Sequence, residues 1–168
     1  MIEQSVHDFI VKDYLNEEII LNDYQGKVLM IVNTATACGY TPQYAKLQKI
    51  YDAYREKGFE ILAFPSNDFG EQEPLNDKGI IHFCKNEYGI TFPIFAKIKV
   101  RGKNAHPLYQ YLANKSKNGK IQSRPLWNFH KYLIDKNGKV RDYFITLTNP
   151  NSNKVIKRIE ELLNEKFA

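Results

Sequence analysis

The chain has 168 residues, 43% of them apolar and 13% aromatic, which suits one globular domain over residues 1–168 better than two small, poorly buried ones. Charged residues make up 26%, close to the average for globular proteins, and that argues against disorder. Lys and Arg outnumber Asp and Glu by 24 to 19, a formal charge of +5, without a run of five like charges. The excess reads as a solvated basic surface, and no nucleic-acid partner is expected.

No apolar stretch reaches the roughly 18 residues that span a bilayer. The start, Met1-Ile2-Glu3-Gln4, lacks the basic and apolar regions of a signal peptide. A cytoplasmic, reducing setting without stable membrane association is therefore expected, where cysteines take redox, metal or catalytic roles. Two cysteines (Cys38, Cys84) and four histidines (His7, His82, His106, His130) show no metal-ligand spacing, so neither a metal nor a cofactor is expected.

Two short extended pieces come first, Asp8 to Val11 and Glu18 to Leu21, separated by polar turn residues and read as an N-terminal hairpin. The nearly unbroken apolar run from Lys27 to Asn33 suits a strand buried on both faces, and Phe59 to Phe64 has the same character. Between them lies a helix with Thr41 as N-cap, Pro42 at the first helical position, Gly58 beyond its end and an apolar face of Tyr44, Leu47, Tyr51 and Tyr54. Strand, helix, strand at this spacing is a βαβ unit with parallel strands.

The second half predicts a helix from about Asp77 to Tyr88, a short strand around Pro93 to Ala96, and a helix from about Asn104 to Ser116 with Leu108, Tyr109 and Leu112 facing inward. Phe129 to Asp135 alternates as a strand, Asn137-Gly138 predicts a type I′ hairpin turn, and Val140 to Ile145 returns. An amphipathic helix from about Ser152 closes the chain through Val155, Ile159, Leu162 and Leu163. The sum is an α/β chain with a mixed central β-sheet flanked by helices, a thioredoxin-like arrangement.

The stretch Asn33 to Pro42 joins a buried strand to a helix and puts Cys38 a few residues ahead of the helix N-terminus. Beyond the carboxyl end of a parallel strand is where reactive groups collect in α/β sheets, and free N–H groups with the helix dipole favour thiolate over thiol there. Cys38 is read as a nucleophile in preference to a buried structural cysteine.

This segment resembles the active-site signature of the glutathione peroxidase family, in which cysteine or selenocysteine precedes Gly, an apolar or aromatic residue, and Thr. Four further blocks agree in order and spacing: Phe64 to Gly70, Gln72-Glu73-Pro74, Phe92-Pro93-Ile94-Phe95 and Trp127-Asn128-Phe129. The resemblance covers about Asp8 to Leu163. It implies that Cys38 is the peroxidatic residue, oxidised to a sulfenic acid by a hydroperoxide. It also implies that Trp127 and Asn128 are N–H donors to the sulfur and the departing oxygen. Asp68 stands where the family's active-site Gln is expected; an ionised carboxylate donates nothing and repels a thiolate. Three outcomes are open: Asp68 is held protonated, it turns away, or the enzyme is slower than its relatives.

Cys84, in His82-Phe83-Cys84 on a predicted amphipathic helix, reads by itself as a core residue. The resemblance makes it the resolving cysteine of members that use thioredoxin, which condenses with the sulfenic acid of Cys38. Two cysteines more than about 7 Å apart at Cα cannot bond without backbone movement, so local unwinding around Cys84 is expected. Gly79 and Gly89 flank that helix. The short connection from Lys117 to Leu126 resembles the monomeric branch and leaves a pocket open to bulky substrates, including lipid hydroperoxides. The expected activity is reduction of hydrogen peroxide and organic hydroperoxides, with thioredoxin or glutathione as reductant. The alternative is a redox sensor or relay that passes its disulfide to a partner protein.

Overall fold

The computed structural model describes residues 4–168. Its centre is a four-stranded sheet in the order β4-β3-β5-β6, with β3 at Val28–Thr34, β4 at Phe59–Pro65, β5 at Lys131–Ile134 and β6 at Val140–Phe144. β3 runs parallel to β4 and antiparallel to β5, with Met30 opposite Ile61 and Ile31 opposite Tyr132. All seven residues of β3 and all seven of β4 are buried, the pattern of strands covered on both faces. The parallel pair needs a crossover. Helix α1 (Gln43–Tyr54) supplies it, with a 3-10 turn ending at Gly58, whose φ of 100° is left-handed.

Alternation along β3 sends Val28, Met30 and Val32 to one face and Leu29 and Ile31 to the other. The first face packs on α1, α2 (Asp77–Tyr88) and α5 (Asn153–Leu163), through Tyr44, Leu47, Ile50, Tyr51, Ile80, Cys84, Val155, Ile159 and Leu162. The second packs on α3 (Pro107–Ala113) through Leu108, Tyr109, Tyr111 and Leu112. A separate hairpin, β1 (Ile10–Lys12) with β2 (Glu18–Ile20), lies ahead of the sheet. The mixed sheet flanked by helices and the N-terminal hairpin are thus as the sequence predicts.

Four details differ. Pro93 to Ala96 forms no strand of its own: Ile94 bridges Ala63 and Phe95 bridges Asp13 singly, because Pro93 has no N–H to extend the ladder. The helix expected from Asn104 starts at Pro107, where the His106 ring Nδ1 accepts from Leu108 N–H at 3.1 Å. It stops at Ala113, and a one-turn helix α4 (Lys115–Asn118) follows. The β5–β6 turn is not type I′, since only Gly138 has positive φ, at 80°. The Asp135 carboxylate accepts from Asn137 N–H at 2.9 Å and Lys139 N–H at 3.0 Å, which holds Asn137 right-handed and leaves the left-handed position to glycine alone. Position 138 also touches the N-terminal segment, where an added Cβ would meet His7 Nδ1 at 2.7 Å.

Candidate active site

Cys38 lies at the carboxyl end of β3 in the turn that enters α1, and is 8% exposed. Thr41, expected as a helix cap, instead builds this turn. Its hydroxyl accepts from Cys38 N–H at 2.9 Å and donates to Ala35 C=O at 2.9 Å. The chain then folds so that Tyr40 N–H points at Cys38 Sγ, 3.3 Å away. A backbone N–H dipole is thus aimed at the sulfur.

The turn is tied from the other side by the loop that follows β4. Ala37 N–H donates to Gln72 C=O at 2.9 Å. The Glu73 carboxylate, fully buried, accepts from Thr36 N–H at 3.1 Å and Thr36 Oγ1 at 2.5 Å. Burial raises the pKa of Glu73, and the Thr36 bonds and Lys97 oppose that rise. Gln72 itself is aimed by two consecutive left-handed residues, Gly70 (φ 62°) and Glu71 (φ 52°). Gly70 is needed twice over, because an added Cβ would sit 3.1 Å from Cη2 of Trp127.

Trp127 and Asn128 reach the same place from the segment entering β5. Asn33, in β3, locks them there: its Nδ2 donates to Trp127 C=O at 3.1 Å, its C=O accepts from Phe129 N–H at 2.6 Å, and its Oδ1 accepts from His130 N–H at 3.2 Å. Phe129 holds a left-handed φ of 65° in a fully buried position. For a non-glycine residue that conformation costs on the order of 1–3 kcal/mol and marks a site whose surroundings over-determine it. Asn128 Nδ2 donates to Gln72 Oε1 at 3.1 Å, while Asn128 Oδ1, buried, has no partner. A half-turn of both amides exchanges donor for acceptor without losing the bond, and frees the Asn128 NH₂.

The Cys38 turn and the Trp127-Asn128 segment thus meet at Gln72, whose C=O accepts from Ala37 N–H and whose side chain accepts from Asn128 Nδ2, and Asp68 faces elsewhere. Its carboxylate accepts from Val100 N–H at 2.6 Å and from Arg101 N–H at 3.3 Å, with the Arg101 guanidinium on its backbone carbonyl at 3.3 Å. Of the three outcomes left open for Asp68, it turns away, with two backbone donors on its carboxylate. Gln72 takes the amide position beside Asn128. The sequence held it in plain view within Gln72-Glu73-Pro74.

Cys84 lies on the core face of α2, fully buried. Burial, with a smaller push from Glu73, raises its pKa to about 11 against a favourable contribution from Tyr44. The Tyr44 phenol, buried on α1, faces Thr34 and Cys84 without a hydrogen bond of good geometry to either. Both cysteines are free thiols.

An apolar cavity of about 250 Å³ opens beside Trp127, lined by Tyr40, Leu126, Trp127, His130, Ile145, Thr146 and Leu147. Burial pulls the pKa of His130 down to about 4, so its ring enters the wall uncharged at neutral pH.

Fold and turn define a class: a thioredoxin-like protein carrying a cysteine at the strand-to-helix turn, without a second cysteine beside it. The chain matches the family model described as glutathione peroxidase over residues 6–113. It is 47% identical over 95% of its length to the glutathione peroxidase homolog BsaA of Halalkalibacterium halodurans, 99% of which is covered. It is 40% identical over 95% of its length to the hydroperoxy fatty acid reductase gpx1 of Synechocystis, 96% of which is covered. A solved structure described as Trgpx in apo form superposes with a TM-score of 0.78 at 36% identity, covering 98% of this chain and 99% of that one. A thiol:disulfide interchange protein of the thioredoxin family from Chlorobium tepidum shares the fold alone, with a TM-score of 0.67 at 15% identity over 98% of this chain and 99% of that one. The chain belongs to the glutathione peroxidase family.

Proposed function

We propose that this protein reduces hydroperoxides through Cys38 as the attacking thiolate and Cys84 as the resolving thiol. Reduction of hydroperoxides at a thiol is the activity of its family, and the chain is a thiol peroxidase. The observation that carries the assignment to Cys38 is the Tyr40 N–H held 3.3 Å from its sulfur, in a turn bonded to Gln72, which in turn bonds Asn128.

The sulfur attacks one peroxide oxygen: an S–O bond forms, the O–O bond breaks, and the second oxygen leaves as alkoxide or hydroxide and takes up a proton. Cys38 becomes a sulfenic acid. The indole N–H of Trp127 and the amides of Gln72 and Asn128 are neutral donors suited to the departing oxygen. The cavity beside Trp127, with an aliphatic and aromatic lining, suits the organic part of alkyl and lipid hydroperoxides.

Cys84 then displaces water from the sulfenic acid, forming an S–S bond. Its thiol is fully buried on the core face of α2. We assign α2 the job of opening, with Gly89, already left-handed at φ 60°, as one end of the moving segment. An external dithiol reductant, thioredoxin in preference to glutathione, reopens the disulfide.

Mass spectrometry after one equivalent of peroxide tests this. Wild type is expected to gain a Cys38–Cys84 disulfide and Cys84→Ser an oxyacid at Cys38. Wild type without an internal disulfide would end the two-cysteine cycle.

A further inference from the structure

Lys131 is fully buried in β5, and no carboxylate pairs with it in any salt bridge among the described residues. Burying an unpaired ammonium is costly, and burial pulls its pKa down to about 7. What receives it is a tripod of backbone carbonyls from one turn: Thr148 at 2.7 Å, Ile145 at 3.3 Å and Thr146 at 3.4 Å. Three donors on a single ammonium match three carbonyls of one short turn.

The same turn carries the outer wall of the cavity beside Trp127. With its carbonyls gathered inward on Lys131, the side chains of Ile145 and Leu147 are turned out, 47% and 72% exposed, facing Tyr40 and Leu126. Two further bonds register the turn to the active site. Thr146 Oγ1 donates to Asn128 C=O at 2.7 Å, and Thr146 C=O accepts from Gln43 Nε2, on the first turn of α1, at 2.7 Å. Exposed aliphatic side chains held at fixed positions beside Tyr40 and Trp127 form a binding surface and contribute little to the core.

We infer that Lys131 is a positioning residue that sets substrate selectivity: by clamping residues 145–148 it holds the apolar wall on which the organic part of a bulky hydroperoxide rests. Hydrogen peroxide has no such part and does not use the wall. The inference rests on Cys38 as the reacting sulfur, and the test separates the two.

Trp127 is the chain's single tryptophan and lines the cavity, so its fluorescence can follow one turnover. The rate constants for oxidation by cumene hydroperoxide and by hydrogen peroxide are measured for wild type and Lys131→Met. The Met variant is expected to lose about tenfold on cumene hydroperoxide and less than about twofold on hydrogen peroxide, the size of effect an apolar contact commands. Hydrogen exchange of the amides of residues 145–148 is expected to accelerate in the same variant. Leu147→Ser, an exposed change that spares the fold, is expected to lower the same ratio and remains readable should Lys131→Met fail to fold; Lys131→Gln then replaces it. A purely structural lysine lowers both rates together, and an unchanged ratio in the Lys131 variant, or in Leu147→Ser, overturns the inference. Wild type oxidised by neither peroxide would instead overturn the reading of Cys38.

Discussion

The two cysteines occupy opposite environments beside the same sheet. Cys38 sits in an irregular turn, slightly exposed, with a backbone N–H on its sulfur. Cys84 sits in mid-helix, unexposed, among Ile80, Tyr44 and other core residues. Its sulfur is pushed toward the thiol form by burial and by the Glu73 carboxylate. The contrast shows how one chain holds two free thiols in different surroundings. The first keeps 8% of its surface exposed in a turn, and the second keeps none in its helix. Glu73 touches both regions. It anchors the Cys38 turn through Thr36 and disfavours a thiolate at Cys84.

The contrast breaks most visibly at Cys38. Cys38→Ser is expected to lower peroxidase turnover by about a thousandfold or more, as removal of a nucleophile does, measured by peroxide loss coupled to thioredoxin. Next comes Cys84→Ser, expected to lower coupled turnover by about a hundredfold while the first oxidation of Cys38 keeps its rate, since the buried thiol has no part in that step. Equal loss in both measurements would place Cys84 in the first step and erase the distinction between the regions.

A third comparison separates Gln72 from Asp68. Gln72→Leu is expected to cost about 100-fold in the rate of Cys38 oxidation, the effect of losing one aimed donor. Asp68→Asn is expected to leave that rate within about twofold and to lower stability by about 1–2 kcal/mol, because it weakens charged acceptance from Val100 and Arg101 N–H. Stopped-flow oxidation and urea denaturation read the two effects separately.

The fold was largely legible because its signals are local and redundant. Continuous apolar runs marked β3 and β4, three- and four-residue spacing marked α1 and α5, and Gly58 marked a left-handed stop. The site was legible in part. Cys38 announced itself by its place between strand and helix, and Trp127 and Asn128 by the family block. Which of its three outcomes Asp68 takes is not legible, because two left-handed residues, one of them a glutamate, reverse the loop before Gln72 and bring that residue round to Asn128. Nothing in a linear pattern reports a positive φ at Glu71. Thr before Pro suits a cap, yet the Thr41 hydroxyl takes Cys38 N–H and Ala35 C=O as its partners. Lys131 gave no signal at all: a lysine in a strand reads as exposed until its strand is seen buried.

The smallest effect concerns the stability that the buried thiol confers. The Cys84 pKa moves from 9.0 to about 11 on folding, so between those values the unfolded chain has lost a proton that the folded chain retains. The folded state then binds more protons, and stability falls as pH rises through that window; below it, Cys84 contributes no slope. Two units correspond to about 2–3 kcal/mol at most. Buried tyrosines (Tyr44, Tyr109, Tyr132) add losses of the same sign at higher pH, so the comparison must be differential. Urea denaturation of wild type and Cys84→Ala at pH 7, 9 and 11 is expected to show wild type losing up to that amount more than the variant between pH 9 and 11, with a constant difference below. A parallel pair of curves would mean that Cys84 meets solvent in the folded state. The thiol would then be accessible without any opening of α2, and the contrast between the two cysteines would lose its physical basis.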